Sequence, residues 1–269
     1  MTVAVDPARY GPWAVIPGGS EGIGASIACD LARCGINSVL IARKPGPLEE
    51  VAAQVRELGA EARTLSLDMT APDMLDRIRE VTDDIDVGLL VYNSGASHRT
   101  GPLTGWPLED VIKVVRLNVE GQAILSHHFA QRMAKRGRGG IVLMGSLAGV
   151  AGSPSVTAYS GAKAFSQIFS EGLWWEMKQH GVDVLHVVVG STNTPAMERL
   201  GLVYKEGEGV EPEWVARLTL ENLANGPVFV MPEMAEGFAN LTNPDRRGLT
   251  EGNAAFILGN TQGTWGEEA

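Results

Sequence analysis

The sequence predicts an α/β fold, a doubly wound parallel sheet of about seven strands with helices on both faces. Two observations lead there. Short runs rich in Val, Ile and Leu alternate along the chain with longer amphipathic stretches, the pattern of strands joined by crossover helices. Strands covered on both sides need not alternate polar and apolar residues, and runs such as Trp13–Ile16 and Ile141–Gly145 do not. A third observation sets the scale. With 269 residues, 44% of them hydrophobic and 20% charged, the chain has enough apolar surface for one sizeable core, and a single domain over residues 1–269 is expected.

Strands are expected at Trp13–Ile16, Ser38–Ala42, Thr64–Leu67, Gly88–Tyr92, Ile141–Gly145, Val182–Val189 and Val228–Met231. Helical periodicity occupies Ile23–Cys34, Leu48–Leu58, Pro72–Val81, Pro107–Arg136, Ser155–His180 and Glu213–Ala224. Gly35, Gly59 and Gly181 close three of these helices, each just before the next strand. Right-handed crossovers then place helices on both faces and direct ligands to the carboxyl ends of the strands. Residues 191–213 and 232–269 have the weakest periodicity. The first is expected to be a substrate lid within the domain, the second an irregular C-terminal segment.

Charge and composition narrow the partners. Twenty-two basic against 32 acidic side chains give a formal charge of −10, which repels nucleic acid and anionic lipid and leaves a small molecule as the expected partner. The N-terminus lacks a basic stretch leading into a long apolar run, and no segment offers about 20 uninterrupted apolar residues, so a cytoplasmic protein without membrane contact is expected. Cys29 and Cys34 lie five apart in a helical stretch and point to different faces, so free thiols in a reducing compartment are expected. No metal is expected: His127 and His128 are adjacent rather than four apart, and His98, His180 and His186 lack partners at ligand spacing.

Behind the first strand comes Pro17-Gly18-Gly19-Ser20-Glu21-Gly22-Ile23-Gly24, and a helix opens at once. Gly18 suits the tight turn, Gly22 lets backbone approach a pyrophosphate, and Gly24 lets helix and strand pack closely while the helix N-terminus faces phosphate. At the end of the second strand, where an acid would hold the ribose of NAD, stand Arg43 and Lys44. Two cations suit a 2'-phosphate, which favours NADP. NAD is the alternative, because Glu21 lies in the glycine loop and would repel an added phosphate.

Tyr159 and Lys163 are four apart in a helical stretch and share a face. An ammonium about 5 Å from a phenol, at an effective dielectric of roughly 20, favours the phenolate by about 3 kcal/mol, enough to make proton exchange feasible near neutrality. Ser146 follows the fifth strand, where its hydroxyl can hold a substrate oxygen; by itself it would read as a turn residue. Asn118 interrupts an apolar stripe of Val111, Val115 and Val119, and a buried amide needs partners, either neighbouring backbone or a water beside Lys163.

Together these residues resemble the short-chain dehydrogenases/reductases, in their compact branch with a Tyr-x-x-x-Lys pair, over roughly residues 12–195. The glycine loop is similar to the family's Thr-Gly-x-x-x-Gly-x-Gly, and Tyr92-Asn93-Ser94-Gly95 to its Asn-Asn-Ala-Gly. The resemblance implies a Rossmann-type domain with a catalytic tetrad of Asn118, Ser146, Tyr159 and Lys163. It implies cofactor contacts from Gly18, Ser20, Gly22, Ile23 and Gly24, from Arg43 and Lys44, from Asp68 and Met69 at the adenine, and from Asn93, Ser94 and Gly95. Tyr159 and Lys163 would also reach the cofactor, as would Gly190, Thr192 and Thr194 after the sixth strand. Pro17, Tyr92, Ser94 and Val189 depart from the family pattern without removing a proton-transferring group.

The function so implied is oxidoreduction: a hydride passes between NADP(H) and a ketone or aldehyde, or the matching alcohol, with a hydrophobic substrate under a lid carrying Met197, Leu200, Leu202, Val203 and Tyr204. A non-catalytic dinucleotide-binding sensor or scaffold with the same fold is the rival, and the intact tetrad argues against it. Enoyl reduction fits less well, since relatives with that chemistry space tyrosine and lysine more widely. The family also builds a dimer face from the helices bearing Asn118 and Tyr159, so a homodimer or homotetramer is expected; Trp174 and Trp175 suit packing or subunit contact. His98 and Arg99 read as a solvated loop near the cleft.

Overall fold

The structure is a computed structural model that describes residues 4–97, 99–199 and 209–242. A one-turn helix, α1 (Pro7–Tyr10), precedes β1 (Trp13–Pro17). There follow α2 (Gly22–Arg33), β2 (Asn37–Ala42), α3 (Pro45–Glu57), β3 (Ala62–Ser66), α4 (Met74–Thr82), β4 (Val87–Tyr92), α5 (Leu108–Val115) and α6 (Gly121–Arg136). The chain continues through β5 (Gly139–Met144), α7 (Thr157–Lys178), β6 (Val182–Val188), α8 (Pro195–Arg199), α9 (Pro212–Glu221), β7 (Val228–Val230) and α10 (Ala235–Leu241). All seven strands are parallel, in the order β3-β2-β1-β4-β5-β6-β7.

The apolar runs of β1, β4 and β5 follow from burial on both faces. Ala14 and Ile16 of β1 join Ile27 and Leu31 of α2, Leu48 of α3 and Val215 of α9 in one core layer. The intervening Trp13 and Val15 face the other way, with Ile78 of α4, Leu125 and Phe129 of α6 and Met177 of α7. Side chains such as Leu40, Leu89 and Leu90 are wholly buried, each contributing on the order of 2 kcal/mol of transfer free energy. Gly35, Gly59 and Gly181 hold φ of +78°, +93° and +69°, the left-handed conformation needed where α2, α3 and α7 stop.

The expected helix Pro107–Arg136 is not uniform. At Arg116–Glu120 it widens by one residue into a π-helical turn, and the Gly121 N–H reaches back five residues to the Arg116 carbonyl. The expected stripe is one residue out of phase. Val114 and Asn118 are buried, whereas Val115 is 43% exposed. Val115 instead joins Leu108 and Ile112 of α5 and Phe165 and Ile168 of α7 among the exposed large apolar side chains. Residues 232–242, expected to be irregular, form a short turn at Pro232–Met234 and then α10; residues 243–269 lie outside the described set. Within the expected lid, Pro195–Arg199 is helical and Thr192 pairs with Val210 across the loop base, while Leu200, Leu202, Val203 and Tyr204 lie outside the described residues, as does His98.

The strand order locates the site. From β1 the chain moves to β2 and β3 on one side, then returns to β4 on the other, so the loops after β1 and β4 diverge and leave a crevice at the carboxyl edge. Among the described residues no helix is long and apolar enough to cross a membrane, no cluster of His, Cys, Asp or Glu could hold a metal, and Cys29 and Cys34 form no disulfide.

Candidate active site

The crevice holds a cavity of about 960 Å³. Its floor is the glycine loop, with Gly18, Ser20, Gly22 and Ile23 on the lining. Pro17 has no N–H to give, and the loop is tied down by its neighbours instead: Gly18 N–H donates to Ile41 O of β2 at 2.8 Å, and Asn93 N–H after β4 donates to Pro17 O at 3.1 Å. The Asn93 side chain donates to Gly18 O at 2.9 Å, so this amide braces the loop. Gly24 does not line the cavity; it lies behind Gly18, where a β-carbon would stand 2.1 Å from Gly18 O. The loop backbone is therefore bare toward the cavity and locked from behind, a cradle that fits a pyrophosphate at the α2 N-terminus.

Beyond the cradle, Arg43 and Lys44 line the cavity from the end of β2, and Asp68 and Met69 from the end of β3. Asp68 accepts from the Thr70 N–H at 2.9 Å and the Thr70 hydroxyl at 2.8 Å, which fixes its carboxylate. Ser94 and Gly95 line the middle, and Gly190, Thr192 and Thr194 close the far wall after β6. Sequence reasoning did not assign Met234 or Arg199 to this wall. Met234 packs on Gly190, where a β-carbon would meet its sulfur at 2.1 Å. Arg199 of α8 pairs with Glu21 of the glycine loop, Nη1 donating to Oε2 at 3.0 Å.

Three of the residues expected to transfer protons converge on the cavity from the end of β5 and from α7. Ser146 sits where β5 ends, and its hydroxyl accepts from Ala148 N–H at 3.2 Å as it starts the turn Leu147–Gly149. That turn is held against α7 by the Ser160 hydroxyl, which donates to Ala148 O at 2.7 Å. Tyr159 and Lys163 occupy one face of α7 and line the cavity with Ser146. The Lys163 Nζ lies 5.5 Å from the centre of the Tyr159 ring and donates to Met144 O at 2.7 Å. Burial pushes its ammonium down to about 8, so the cation persists at neutral pH and is lost as pH rises through that value.

Asn118 does not line the cavity. It lies behind Gly95, 1% exposed, donating to Val114 O at 2.9 Å and Ala96 O at 3.1 Å, with its Oδ1 buried and without a partner. That oxygen and Lys163 Nζ flank Gly95: a β-carbon there would stand 2.7 Å from each.

Beneath the site His186 of β6 is buried against Gly145 and contacts the Ser166 hydroxyl at 3.3 Å, which donates onward to Gln122. Burial, and secondarily the Lys163 charge, push this imidazole down to about 3. An unfolded His titrates near 6.5, so the stability owed to its neutral form is complete above that value and is lost as pH falls from about 6.5 toward 3. Relative to a His186→Gln variant, the protein is expected to lose about 2 kcal/mol of unfolding free energy between pH 7 and pH 5. Urea unfolding at both pH values checks this; equal losses in the two proteins would assign the acid sensitivity elsewhere.

Comparison with known proteins bears on the same residues. Residues 12–202 match the sequence profile of the short chain dehydrogenase family, which takes in the glycine loop, Asn118, Ser146, Tyr159 and Lys163. The chain belongs to the short-chain dehydrogenase family. It is similar to a protein named 7beta-hydroxysteroid dehydrogenase from Clostridium sardiniense, with 32% identity over 70% of this chain and 72% of that one. It is also similar to a very-long-chain 3-oxoacyl-CoA reductase from Neurospora crassa, with 37% identity over 71% of this chain and 59% of that one, so the match spans somewhat over half of the reductase. A solved short-chain dehydrogenase from Sphingobium yanoikuyae in complex with NADPH superimposes with a TM-score of 0.78 at 29% identity, over 89% of this chain and 95% of that one. These relatives are dehydrogenases and reductases, and this short-chain dehydrogenase is an enzyme of the same oxidoreductase class.

Proposed function

We propose that this short-chain dehydrogenase interconverts a bulky hydrophobic ketone and its alcohol with NADP(H). The observation that carries the reading is the meeting of Ser146, Tyr159 and the buried Lys163 cation in the cavity that the glycine cradle floors. The cradle would receive the pyrophosphate, Arg43 and Lys44 the 2'-phosphate, Asp68 and Met69 the adenine side, and Gly190, Thr192 and Thr194 the nicotinamide end. When bound, the nicotinamide supplies the hydride in reduction and accepts it in oxidation. Ser146 polarises the carbonyl oxygen, and the Tyr159 hydroxyl gives that oxygen its proton, or takes it back in the reverse direction. The Lys163 ammonium steadies the phenolate left behind, and Asn118 supports the return of a proton beside it.

Leu117, Leu147, Val156, Val189, Met197 and Met234 also line the cavity, an apolar wall suited to a hydrophobic substrate. The similarity to proteins named for hydroxysteroid and very-long-chain acyl substrates supports a large ligand over a small one. Residues 191–213 would act as the lid, clasped to the glycine loop by Arg199. A second copy of the chain would cover the apolar face of α5 and α7 to make a homodimer.

The test follows loss of NADPH, with NADH in parallel, against a steroid ketone, a long-chain 3-oxoacyl thioester, phenanthrenequinone and acetone. At least one bulky ketone is expected to exceed acetone by about 100-fold in kcat/KM, with NADPH preferred over NADH by about tenfold or more. Silence on every member would favour a dinucleotide-binding sensor, and equal use of acetone would remove the bulky-substrate reading.

A further inference from the structure

Tyr92 stands where the family pattern has an asparagine, and the chemistry just described does not use it. It ends β4 with 2% exposure, and its hydroxyl donates to the Leu117 carbonyl at 2.6 Å. Leu117 lies in the π-helical turn. In a regular α-helix its carbonyl would take the Gly121 N–H, but that N–H goes to Arg116 O instead. The phenol therefore serves a carbonyl that the widened turn deprives of the Gly121 N–H, deep enough that a missing donor would be costly. Gly121 makes the room, since a β-carbon there would stand 2.6 Å from the Tyr92 oxygen.

Hydroxyl, widened turn and glycine are fitted to one another, and the residue after Leu117 is Asn118. We propose that Tyr92 is a positioning residue: its hydroxyl holds the turn at Arg116–Glu120 widened and so sets the Asn118 side chain beside Gly95 and Lys163. The inference rests on the part assigned to Asn118 in proton transfer. Without the phenolic donor, the extra residue of the turn is free to shift along the helix. Neighbouring helical positions differ by roughly 100° in direction, so a small shift turns the Asn118 amide away from Lys163.

The experiment compares Tyr92→Phe, Asn118→Ala and the double variant, with NADPH and phenanthrenequinone as substrates. Tyr92→Phe is expected to lower kcat about tenfold with KM held within about twofold, and to cost less than about twofold further when Asn118 is already alanine, since residues acting through one another are not additive. In the protein without added ligands, amide hydrogen exchange at residues 116–121 is expected to quicken in Tyr92→Phe about tenfold, a readout independent of turnover. Full kcat in Tyr92→Phe, or effects that multiply in the double variant, would overturn the inference. If Asn118→Ala itself keeps full kcat, the assignment of Asn118 fails and the inference with it; if Asn118→Ala is slow while Tyr92→Phe is fast, only the part given to Tyr92 falls. Should Tyr92→Phe not fold, Gly121→Ala attacks the same contact from the other side. It is expected to reproduce the kcat loss by crowding the hydroxyl off Leu117 O, and full kcat there would also overturn the inference.

Discussion

Tyr159→Phe is expected to lower kcat by about three orders of magnitude while leaving the NADPH dissociation constant within about threefold, since general acid–base groups commonly contribute 100- to 10,000-fold. Phenylalanine keeps the ring and its packing on α7 and removes only the hydroxyl proposed to move the proton. The cradle of Gly18 and Gly22 and the cations Arg43 and Lys44 are untouched, so binding should persist. Single-turnover kinetics beside a fluorescence titration of NADPH separates the two effects. Retention of more than about a tenth of wild-type turnover would remove Tyr159 from its assigned role. Because the Lys163 cation is lost as pH rises through about 8, its support for the phenolate is strongest below that value.

Gly95→Ala is the second large effect, expected to lower kcat by about 100-fold with the protein still folded. Its φ lies outside the left-handed region, so the backbone accepts alanine. The new methyl, however, would lie 2.7 Å from both Asn118 Oδ1 and Lys163 Nζ. Neither yields easily. Asn118 is held by two hydrogen bonds, and Lys163 by one to Met144 O inside the core. Overpacking of this kind costs about 1–3 kcal/mol, visible as a modest fall in melting temperature, and displaces groups to which the proposed chemistry is assigned. Steady-state kinetics with a melting curve checks it; an alanine variant at full rate would mean that the Asn118–Lys163 spacing is irrelevant to turnover.

Much of this was legible in the sequence where one local cause dominates. Strands buried on both faces are mostly apolar, so Val39–Ala42 and Ile141–Gly145 stand out against the amphipathic helices around them. Gly35, Gly59 and Gly181 mark helix ends because few other residues adopt that backbone. The glycine loop and the four-residue spacing of Tyr159 and Lys163 are likewise local. What escaped reading depends on contacts distant in sequence. Nothing within Arg116–Glu120 signals a widened turn; the partner of Leu117 O comes from β4. Asn118 in that turn lies behind the cavity wall, and already in α5 the buried position is Val114 rather than Val115, so the expected Val111, Val115 and Val119 stripe is one position out of phase. α8 and α10 are too short to show a period, and Met234 reaches the wall only through the fold.

The Glu21–Arg199 pair bears on how a binding site's preference is inferred from sequence. Glu21 taken alone argues against a ligand with one phosphate more, yet its charge is balanced by a guanidinium 178 positions away. Once that balance is counted, Arg43 and Lys44 remain as cations on the cavity lining that suit an added phosphate. Discrimination between the two dinucleotides then depends in part on a residue far outside the glycine motif, and a swap at Arg199 would alter it.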